Sequence, residues 1–271
     1  MGVAARPGAS PGFLDRLRDL AQRIDCHRAE NFADWDAIFR LRYDAYLRER
    51  TIGERPSRRV ADRADGAANA YVFGLWLDGR LASSIRVHVA SPEHPDTPAA
   101  HVFPEFIEPA LAAGKTIVDP TRFVADYDVA RINPELPYLT VRLAYIATGY
   151  FRADLGIATV RAEHQAFYRR LMAFEPVCPP RPYPGLIKPI SLMSVDVPAL
   201  REHVAARYPF FRHSAEEAAS LFGHVQAAPP LSPVPGDLIG GPARAAGVLA
   251  GPTPRIVMPV RPLRDACIQR G

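Results

Sequence analysis

The sequence predicts one α/β (α+β) domain in which a mixed central sheet is flanked by helices. Helical and strand periodicities follow the order helix, hairpin, strand, helix, strand, helix, strand, which is typical of helices layered on a sheet. With 48% hydrophobic and 23% charged residues among 271, the chain can bury a substantial core. No window of ~18 uninterrupted apolar residues occurs, so the sequence predicts no membrane-spanning helix.

Composition divides the chain into three parts. Nine of the 28 prolines follow residue 228, in a stretch that is also rich in glycine and alanine. Such a segment buries too little apolar surface to offset the entropy lost on ordering. Residues 229–271 are therefore predicted to be a dispensable tail and residues 1–12 a flexible N-terminus. The folded domain is expected to span 13–228.

Charge and cysteine content restrict the partners. The net charge is +4, and all but two of the basic residues are arginines, whose guanidinium groups bind carboxylate or phosphate in bidentate fashion. The sequence contains no block of basic residues interleaved with aromatic residues, so it does not predict nucleic-acid binding. The three cysteines are far apart and show neither metal-ligand spacing nor a disulfide framework. The N-terminus lacks an apolar signal core, so we expect a cytoplasmic protein without a metal.

The first two elements are predicted to be helices. Apolar residues recur at helical spacing from Phe13 to Ile24, which predicts a short amphipathic helix lying on the body, on a partner or on a membrane. A second helix is expected from about Ala33 to Arg48, and its apolar stripe includes Arg42. A buried guanidinium needs a partner because an unpaired buried charge is very costly. A snorkelling arginine is the alternative.

A hairpin follows, with Asp78-Gly79 as its turn. Alternation along its second strand places Ser84, Arg86 and His88 on one face and aliphatic residues on the other. Arg86 is therefore expected to point from mid-strand into a polar site or into solvent.

The next strand, TIVDPTRFVADYDV, contains a proline. Proline cannot donate to the ladder, so it indicates an edge strand or a bulge. Asp119 and Arg122 have opposite parity and would face opposite sides of a regular strand. One extra residue at Pro120 would bring both side chains to the same cavity.

The second half is predicted to hold a long helix, PYLTVRLAYIATGYFRADLG, with Pro137 near its start and Gly156 after its end. The strand IATVRAE, the short helix HQAFYRRLMAF and a last strand, IKPISLMSVDV, follow. Residues 199–228 receive no assignment.

Two sets of motifs resemble known enzyme families. The helix AFYRRLMAFE between two strands resembles the end of a GNAT acyltransferase, with Tyr168 in the place of that family's tyrosine and Ala173-Phe174 where Gly-Phe is usual. RYDAY, the acids Asp62 and Asp65, SIRV and VDPTRFVAD resemble acyl-homoserine lactone synthases. The residues that match in order and approximate spacing are Arg42, Tyr46, Asp65, Arg86, Asp119, Arg122 and Phe123.

Two departures separate the chain from the lactone synthases. Asp119 replaces a glutamate and Val118 a tryptophan. The stretch RAEHQAFYRRLMAFEPVCPPRPYPGLIKPISLMSVDV resembles the FeeM-type N-acyl amino acid synthases, which share the fold and join a fatty acyl group to an amino acid. The resemblance covers about 30–198 and implies a GNAT-like acyltransferase that makes a long-chain N-acyl amino acid.

The resemblance implies roles for individual residues. Amide formation from a thioester needs a neutral amine and a protonated leaving thiol. Asp119 is the first candidate for the base, and Arg122 would pair with it or with the acceptor carboxylate; a purely structural ion pair is the alternative. Tyr168 would protonate the leaving thiolate.

The remaining substrate-binding candidates surround this group. Arg42 and Arg86 would bind the acceptor carboxylate or hold Asp65, beside Tyr46. Glu163 and His164 offer an alternative base or relay, and a solvent-exposed His164 is the other interpretation. Candidates for an acyl channel, which could equally be core residues, are Phe103, Phe106, Ile107, Tyr145, Tyr150 and Phe151.

The donor is predicted from the connection DYDVARINPELPYL. GNAT enzymes that use acetyl-CoA normally place a glycine-containing loop here, whose amides hold the pyrophosphate. This connection has no glycine, two prolines and three acids. We therefore expect an acyl-carrier-protein thioester rather than acyl-CoA, no cofactor, and a transient contact with the membrane surface. The arginines expected to meet the carrier are Arg131, Arg142, Arg152, Arg169 and Arg170.

Two other functions remain open at this point. The first is a lactone synthase that uses S-adenosylmethionine, against which the missing tryptophan and glutamate count. The second is a non-catalytic module that binds an acyl carrier or an acyl ligand. Formation of a lactone would favour the first, and turnover of any acyl thioester would exclude the second.

Overall fold

A computed structural model describes residues 12–61, 63–182, 189–223 and 229. The predicted flexible N-terminus and tail fall almost entirely outside these residues, as does Asp62. The boundaries predicted for both terminal segments therefore stay predictions.

The described part of the chain forms eight helices and seven strands. The helices are α1 (Phe13–Arg23), α2 (Phe32–Arg48), α3 (Pro104–Ala112), α4 (Tyr127–Ile132), α5 (Leu136–Tyr150), α6 (Ala162–Met172), α7 (Val197–Arg207) and α8 (Ala215–Phe222). The strands are β1 (Ile24–Arg28), β2 (Ala70–Leu77), β3 (Arg80–Ala90), β4 (Ile117–Ala125), β5 (Leu155–Val160), β6 (Glu175–Pro176) and β7 (Ser191–Asp196). Short 3-10 turns cover Arg63–Gly66 and Pro209–Phe211.

The strands form one sheet in the order β1-β2-β3-β4-β5-β7-β6. All neighbouring pairs are antiparallel except β4 and β5, which are parallel, so the predicted mixed sheet is confirmed. The hairpin turns at Asp78 and Gly79, both with positive φ, as a type I′ turn requires. Strand β1 was not predicted, because Ile24 continues the helical spacing of α1 but pairs with Leu77 of β2.

Helices cover both faces of the sheet. Helices α2 and α3 pack on one face, called here the α2 face. Helices α1, α5, α6, α7 and α8 pack on the other, the α5 face, over the largest apolar cluster. The first helix therefore lies on the body of the protein, with Leu17 and Leu20 buried. No helix among the described residues is both long enough and apolar enough to cross a membrane.

The predicted bulge in β4 exists, but not at Pro120. Pro120 stays in register opposite Val87, and the register shifts farther along, where Arg122 and Phe123 face one residue of β3. Arg122 has a φ of 52°, which places it in the left-handed region. Pro120 is tolerated inside a central strand because it follows Val118, the last residue of β4 that pairs with β5 among the described residues.

Candidate functional site

A buried ion-pair network lies on the α2 face. Helix α2 supplies Arg42, the turn Arg63–Gly66 supplies Asp65, and β3 supplies Arg86; all three side chains are 0% exposed. Nη1 of Arg42 donates to both oxygens of Asp65, at 2.9 and 2.8 Å, and Nη1 of Arg86 donates to Oδ1 at 2.9 Å. Asp65 therefore serves two arginines, and Arg42 does not snorkel.

Arg122 joins this network through the bulge. Its Nη1 lies 3.4 Å from the hydroxyl oxygen of Tyr46, and its guanidinium is 5.7 Å from the centroid of that ring. Arg122 is fully buried, and its charge acts on Arg42. The left-handed backbone at Arg122 thus turns a side chain of the wrong parity towards the α2 face.

Asp119 lies on the same face as Arg86. It is paired in register with His88, and opposite residues of an antiparallel pair share a face. One oxygen of its buried carboxylate accepts hydrogen bonds from the hydroxyl of Thr97 and from the backbone amide of Ala99 at 3.3 Å. The loop before α3 therefore fixes the orientation of this carboxylate.

Three buried guanidinium groups, from Arg42, Arg86 and Arg122, and two buried carboxylates, from Asp65 and Asp119, lie on this face of the sheet. Burial lowers the pKa of Arg42; Asp65 opposes this shift, whereas the charges of Arg122 and Arg86 reinforce it. An anion bound beside these arginines would oppose the shift in the same way as Asp65.

Tyr168 lies on the opposite side of the sheet. Strands β4 and β5 pair at Ile117–Leu155 and Val118–Gly156, and no further pair is present between them in the described parts of the chain. A narrow cleft follows this point on the α5 face, lined by Tyr168, Phe123 and Thr159 among others, and its free volume is about 20 Å³. The backbone ladder that would separate the two faces is thus interrupted beside both Tyr168 and the bulge.

The start of α6 differs from one expectation. His164 is buried, at 6% exposure, and not exposed to water as one interpretation proposed. Its Nε2 lies 3.0 Å from Nη2 of Arg161, which also donates to Glu49 of α2 at 3.0 Å. Glu163 is exposed and lies 3.4 Å from Nε of Arg161. Arg161 therefore connects the end of β5 with α2.

The five arginines predicted for a carrier surface do not form one patch. Arg142 is wrong for this role, because its guanidinium binds the carboxylate of Glu217 and the carbonyl oxygens of Phe210 and Arg212 inside the fold. The other four, Arg131, Arg152, Arg169 and Arg170, are exposed.

Two of these arginines are far apart. Arg131 lies at the end of α4 and Arg152 lies beyond the far end of α5, a helix of 15 residues that is ~22 Å long. Arg169 lies 3.1 Å from Glu175, and Arg170 follows it on α6. A single carrier could use Arg131 and the α6 pair, but Arg152 belongs to a different surface.

The acyl-channel candidates also separate. Tyr145 lines the cleft beside Tyr168. Phe103, Phe106 and Ile107 pack in the α3 cluster on the other face of the sheet. Tyr150 and Phe151 form an aromatic cluster with Phe222 beyond the cleft. Only Tyr145 of this set is a cleft residue among those that the structure describes.

Polar groups in the connection between β4 and α5 are already hydrogen-bonded within the protein. The carboxylate of Asp126 accepts from the amide of Val129, and the amide of Leu136 donates to Asn133. Glu135 precedes α5, is 3% exposed, and accepts from Nε of Arg16 at 2.6 Å. A buried carboxylate therefore occupies the start of α5.

Three polar contributors were not predicted. Thr97 holds Asp119, Thr121 accepts a hydrogen bond from Nε of Arg86 at 2.8 Å, and Arg161 links α2 to β5. Thr121 carried a usable signal, because it lies two residues after Asp119 and shares its strand face. Thr97 lies in a loop, and its position follows from tertiary structure alone.

Comparisons with known proteins bear on the fold and the family. A comparison with curated proteins found no match. A solved structure of FeeM, an N-acyl amino acid synthase from uncultured soil microbes, has a TM-score of 0.55 at 16% identity, over 67% of this chain and 94% of that one. The coenzyme-A-dependent acyl-homoserine lactone synthase BjaI has a TM-score of 0.49 at 18% identity, over 68% and 88%. An acyl-CoA N-acyltransferase from Pseudomonas aeruginosa has a TM-score of 0.44 at 18% identity, over 63% and 97%.

The family assignment rests on the sequence itself. The profile of the family described as N-acyl amino acid synthase FeeM matches residues 37–196, which include the α2 network, the β4 bulge and Tyr168. The fold is that of the GNAT-type acyltransferases, as predicted. The chain is thus an N-acyltransferase that belongs to the FeeM N-acyl amino acid synthase family.

Proposed function

We propose that the protein transfers a long-chain acyl group from an acyl-carrier-protein thioester to the amine of an amino acid. The observation that carries this proposal is the cluster of three buried guanidinium groups on the α2 face, beside the point where β4 and β5 part. The acceptor would lie on this face, and the thioester would enter from the α5 face.

The buried arginines suit the carboxylate of an amino acid. Arg42 and Arg86 bind Asp65, and Arg122 lies 3.4 Å from the hydroxyl oxygen of Tyr46 on the same face. A guanidinium binds a carboxylate with two parallel hydrogen bonds, which gives orientation as well as affinity. Arg122 is therefore the proposed anchor of the acceptor carboxylate, and Arg42 and Tyr46 would complete the pocket.

The proposed reaction needs three proton transfers. Asp119 would accept a proton from the acceptor ammonium, directly or through water, and release it to solvent; its orientation by Thr97 and Ala99 supports this role. The neutral amine would attack the thioester carbonyl, the nitrogen would lose its second proton to Asp119, and the C–S bond would break from the tetrahedral intermediate. Tyr168 would then protonate the departing thiolate from the α5 face.

His164 remains the alternative base. It is buried near the end of β5, and its Nε2 lies 3.0 Å from Nη2 of Arg161. Glu163 is exposed and lies beside the same arginine. Asp119 is preferred because it shares the face of Arg86 and Arg122.

The start of α5 supports a carrier-bound donor. The backbone amides of Val129 and Leu136 already have acceptors, and Glu135 places a carboxylate where a pyrophosphate would need donors. A thioester on an acyl carrier protein has a single phosphate in its arm and can make its other contacts through the acidic carrier surface. Arg131, Arg169 and Arg170 are the exposed candidates for that surface.

The deciding experiment is mass spectrometry of lipid extracts from cells that express the protein. We expect a new amide-linked acyl amino acid, absent from cells that express the folded Asp119→Asn variant. Detection of a lactone would instead show that the acceptor is derived from methionine. Purified protein that turns over no acyl thioester would leave only a binding role and contradict the proposal.

A further inference from the structure

Two cavities of about 540 and 630 Å³ border α1, and neither shares a lining residue with the cleft of Tyr168. Both are lined by Leu14 and Arg18, and the two together are called here the α1 groove. Their other walls come from α5, α6, the end of α7, the turn Pro209–Phe211 and α8. Because α1, this turn and α8 lie outside residues 37–196, the family assignment does not account for the groove.

One end of the groove is aliphatic. Its charged lining residues besides Arg18 are Arg142 and Glu217, which form an ion pair with each other. Besides Leu14, Pro209 and Phe210, the apolar side chains that line this end are Leu17, Ala21, Ile24, Leu75, Leu139, Leu143 and Leu221. Flexible aliphatic walls of this kind suit a single alkyl chain.

The other end is cationic above an aromatic floor. Arg18, Arg170 and Arg207 line it, against one carboxylate, Asp15, which accepts from Arg18 at 3.2 Å. Arg170 and Arg207 are both exposed. Nε of Arg170 donates to the carbonyl oxygen of Ala166 at 3.2 Å, and Nη1 of Arg207 lies 3.0 Å from the ring of His203. The floor consists of Phe13, Tyr138, Phe167, Leu171 and Tyr208.

We propose that this groove binds a long-chain carboxylate, with the head group at Arg170 and Arg207 and the alkyl chain along α1. Leu14 lies between the two ends and is 51% exposed, so a bound chain would cover it. A methylene group is about as large as a water molecule, ~30 Å³, so the 630 Å³ cavity has room for a twelve-carbon chain. Fatty acids and N-acyl amino acids share this chemistry, and the inference does not depend on the proposed reaction.

The first test is calorimetric titration of the full chain with dodecanoate, N-dodecanoylglycine and dodecyltrimethylammonium. Both carboxylates should bind, and the cation should bind at least ~10-fold more weakly because the head-group end is positive. If only dodecanoate binds, the ligand is a fatty acid; if only N-dodecanoylglycine binds, the ligand is an N-acyl amino acid. Each added methylene should tighten binding on the order of 3- to 4-fold until the aliphatic end is filled.

Matched variants locate the site. Ala21→Trp should fill the aliphatic end and weaken binding of dodecanoate at least ~10-fold, whereas Gln22→Trp, at the next exposed position outside the groove, should leave it unchanged. Arg170→Glu combined with Arg207→Glu should weaken binding to a similar extent. Arg169→Glu, the neighbouring charge reversal on α6 outside the groove, is its control.

The outcomes separate this site from the cleft and from a carrier surface. Unchanged dodecanoate binding in Ala21→Trp would overturn the proposal, since the ligand would then lie elsewhere. If the Arg170 and Arg207 reversals slow only the reaction with a carrier protein, these arginines belong to carrier docking and the proposal is wrong. Acyl transfer is measured separately, and its absence would contradict the proposed function without affecting the binding result.

Discussion

Asp65 shows how one residue can hold a polar core together. Its two oxygens accept three hydrogen bonds from Arg42 and Arg86, and all three side chains are fully buried. Burying charges is favourable only when each has a partner, and removing one partner leaves the others uncompensated. The three side chains therefore depend on one another for stability.

We expect Asp65→Asn to destabilise the protein by ~3–5 kcal/mol, because it removes the buried carboxylate that two buried guanidinium groups bind. Asp44→Asn is the control, since Asp44 is 61% exposed and lies 3.7 Å from an exposed Arg58; its loss should cost under ~1 kcal/mol. Urea unfolding of both variants measures the difference. If both variants lost the same free energy of unfolding, the buried network would contribute little to stability.

Asp119 and Arg122 are predicted to act in turnover. Asp119→Asn and Arg122→Gln should each lower turnover ~100-fold or more, a typical effect of a positioned acid–base group. Asparagine can still accept from Thr97 through its amide oxygen, so Asp119→Asn should stay folded. Steady-state kinetics and circular dichroism check this together. A folded Asp119→Asn protein with near-normal turnover would reduce the residue to a structural role.

At the level of elements, the start of α5 explains the expected donor preference. Helix N-termini normally attract anions through their free amides. Here Glu135 places a carboxylate at this point, and Arg16 of α1 binds it at 2.6 Å. The first helix therefore takes part in the electrostatics of the donor side, although it lies outside the family match.

Two substitutions should shift the use of acyl-CoA in opposite directions. Glu135→Gln removes the buried carboxylate and leaves Arg16, which is 46% exposed, to attract a diphosphate. The KM for acyl-CoA should fall ~5-fold, because the attraction between two charges about 4 Å apart in water is worth ~1 kcal/mol. Arg16→Gln should raise it. The KM for the carrier thioester serves as the reference. Parallel changes with both donors would show that the substitutions act on the fold.

The bulge in β4 is the element that the sequence located least well. Parity correctly required an extra residue between Asp119 and Arg122, and the proline suggested its position. The structure instead places it at Arg122 and Phe123, opposite one residue of β3. Proline needed no bulge because β5 has already parted from β4 at that point.

At the level of the whole molecule, the two faces of the sheet carry different groups. The α2 face carries the buried network of Arg42, Asp65 and Arg86, and the α5 face carries Tyr168 and the arginines of α6. In the proposed function, acceptor and donor would approach from opposite sides. This arrangement would keep an acidic carrier away from the acceptor.

We expect a higher kcat/KM for acyl-carrier-protein thioesters than for the matching acyl-CoA. Added salt should reduce the carrier reaction, because contacts between exposed charges are screened over ~8 Å at physiological ionic strength. Arg131→Glu should slow this reaction, and Arg152→Glu, on the distant surface, should not. Equal or better efficiency with acyl-CoA would contradict the assignment of the donor.

The sequence by itself determined the fold class, the family and the positions of the chemistry-bearing residues. These follow from local periodicity and from short motifs, such as the alternation around Arg86 and the helix that carries Tyr168. Local periodicity and short motifs do not depend on distant parts of the chain, so both can be recognised without coordinates.

Only the tertiary structure decided which of those residues meet. Arg42 and Asp65 are 23 residues apart, and Arg142 and Glu217 are 75 apart, yet both pairs bind directly. From its position in the sequence alone, Arg142 could have belonged to a carrier surface. His164 could likewise have been exposed to water. Burial and pairing depend on what packs against a side chain, and here the neighbours come from distant elements.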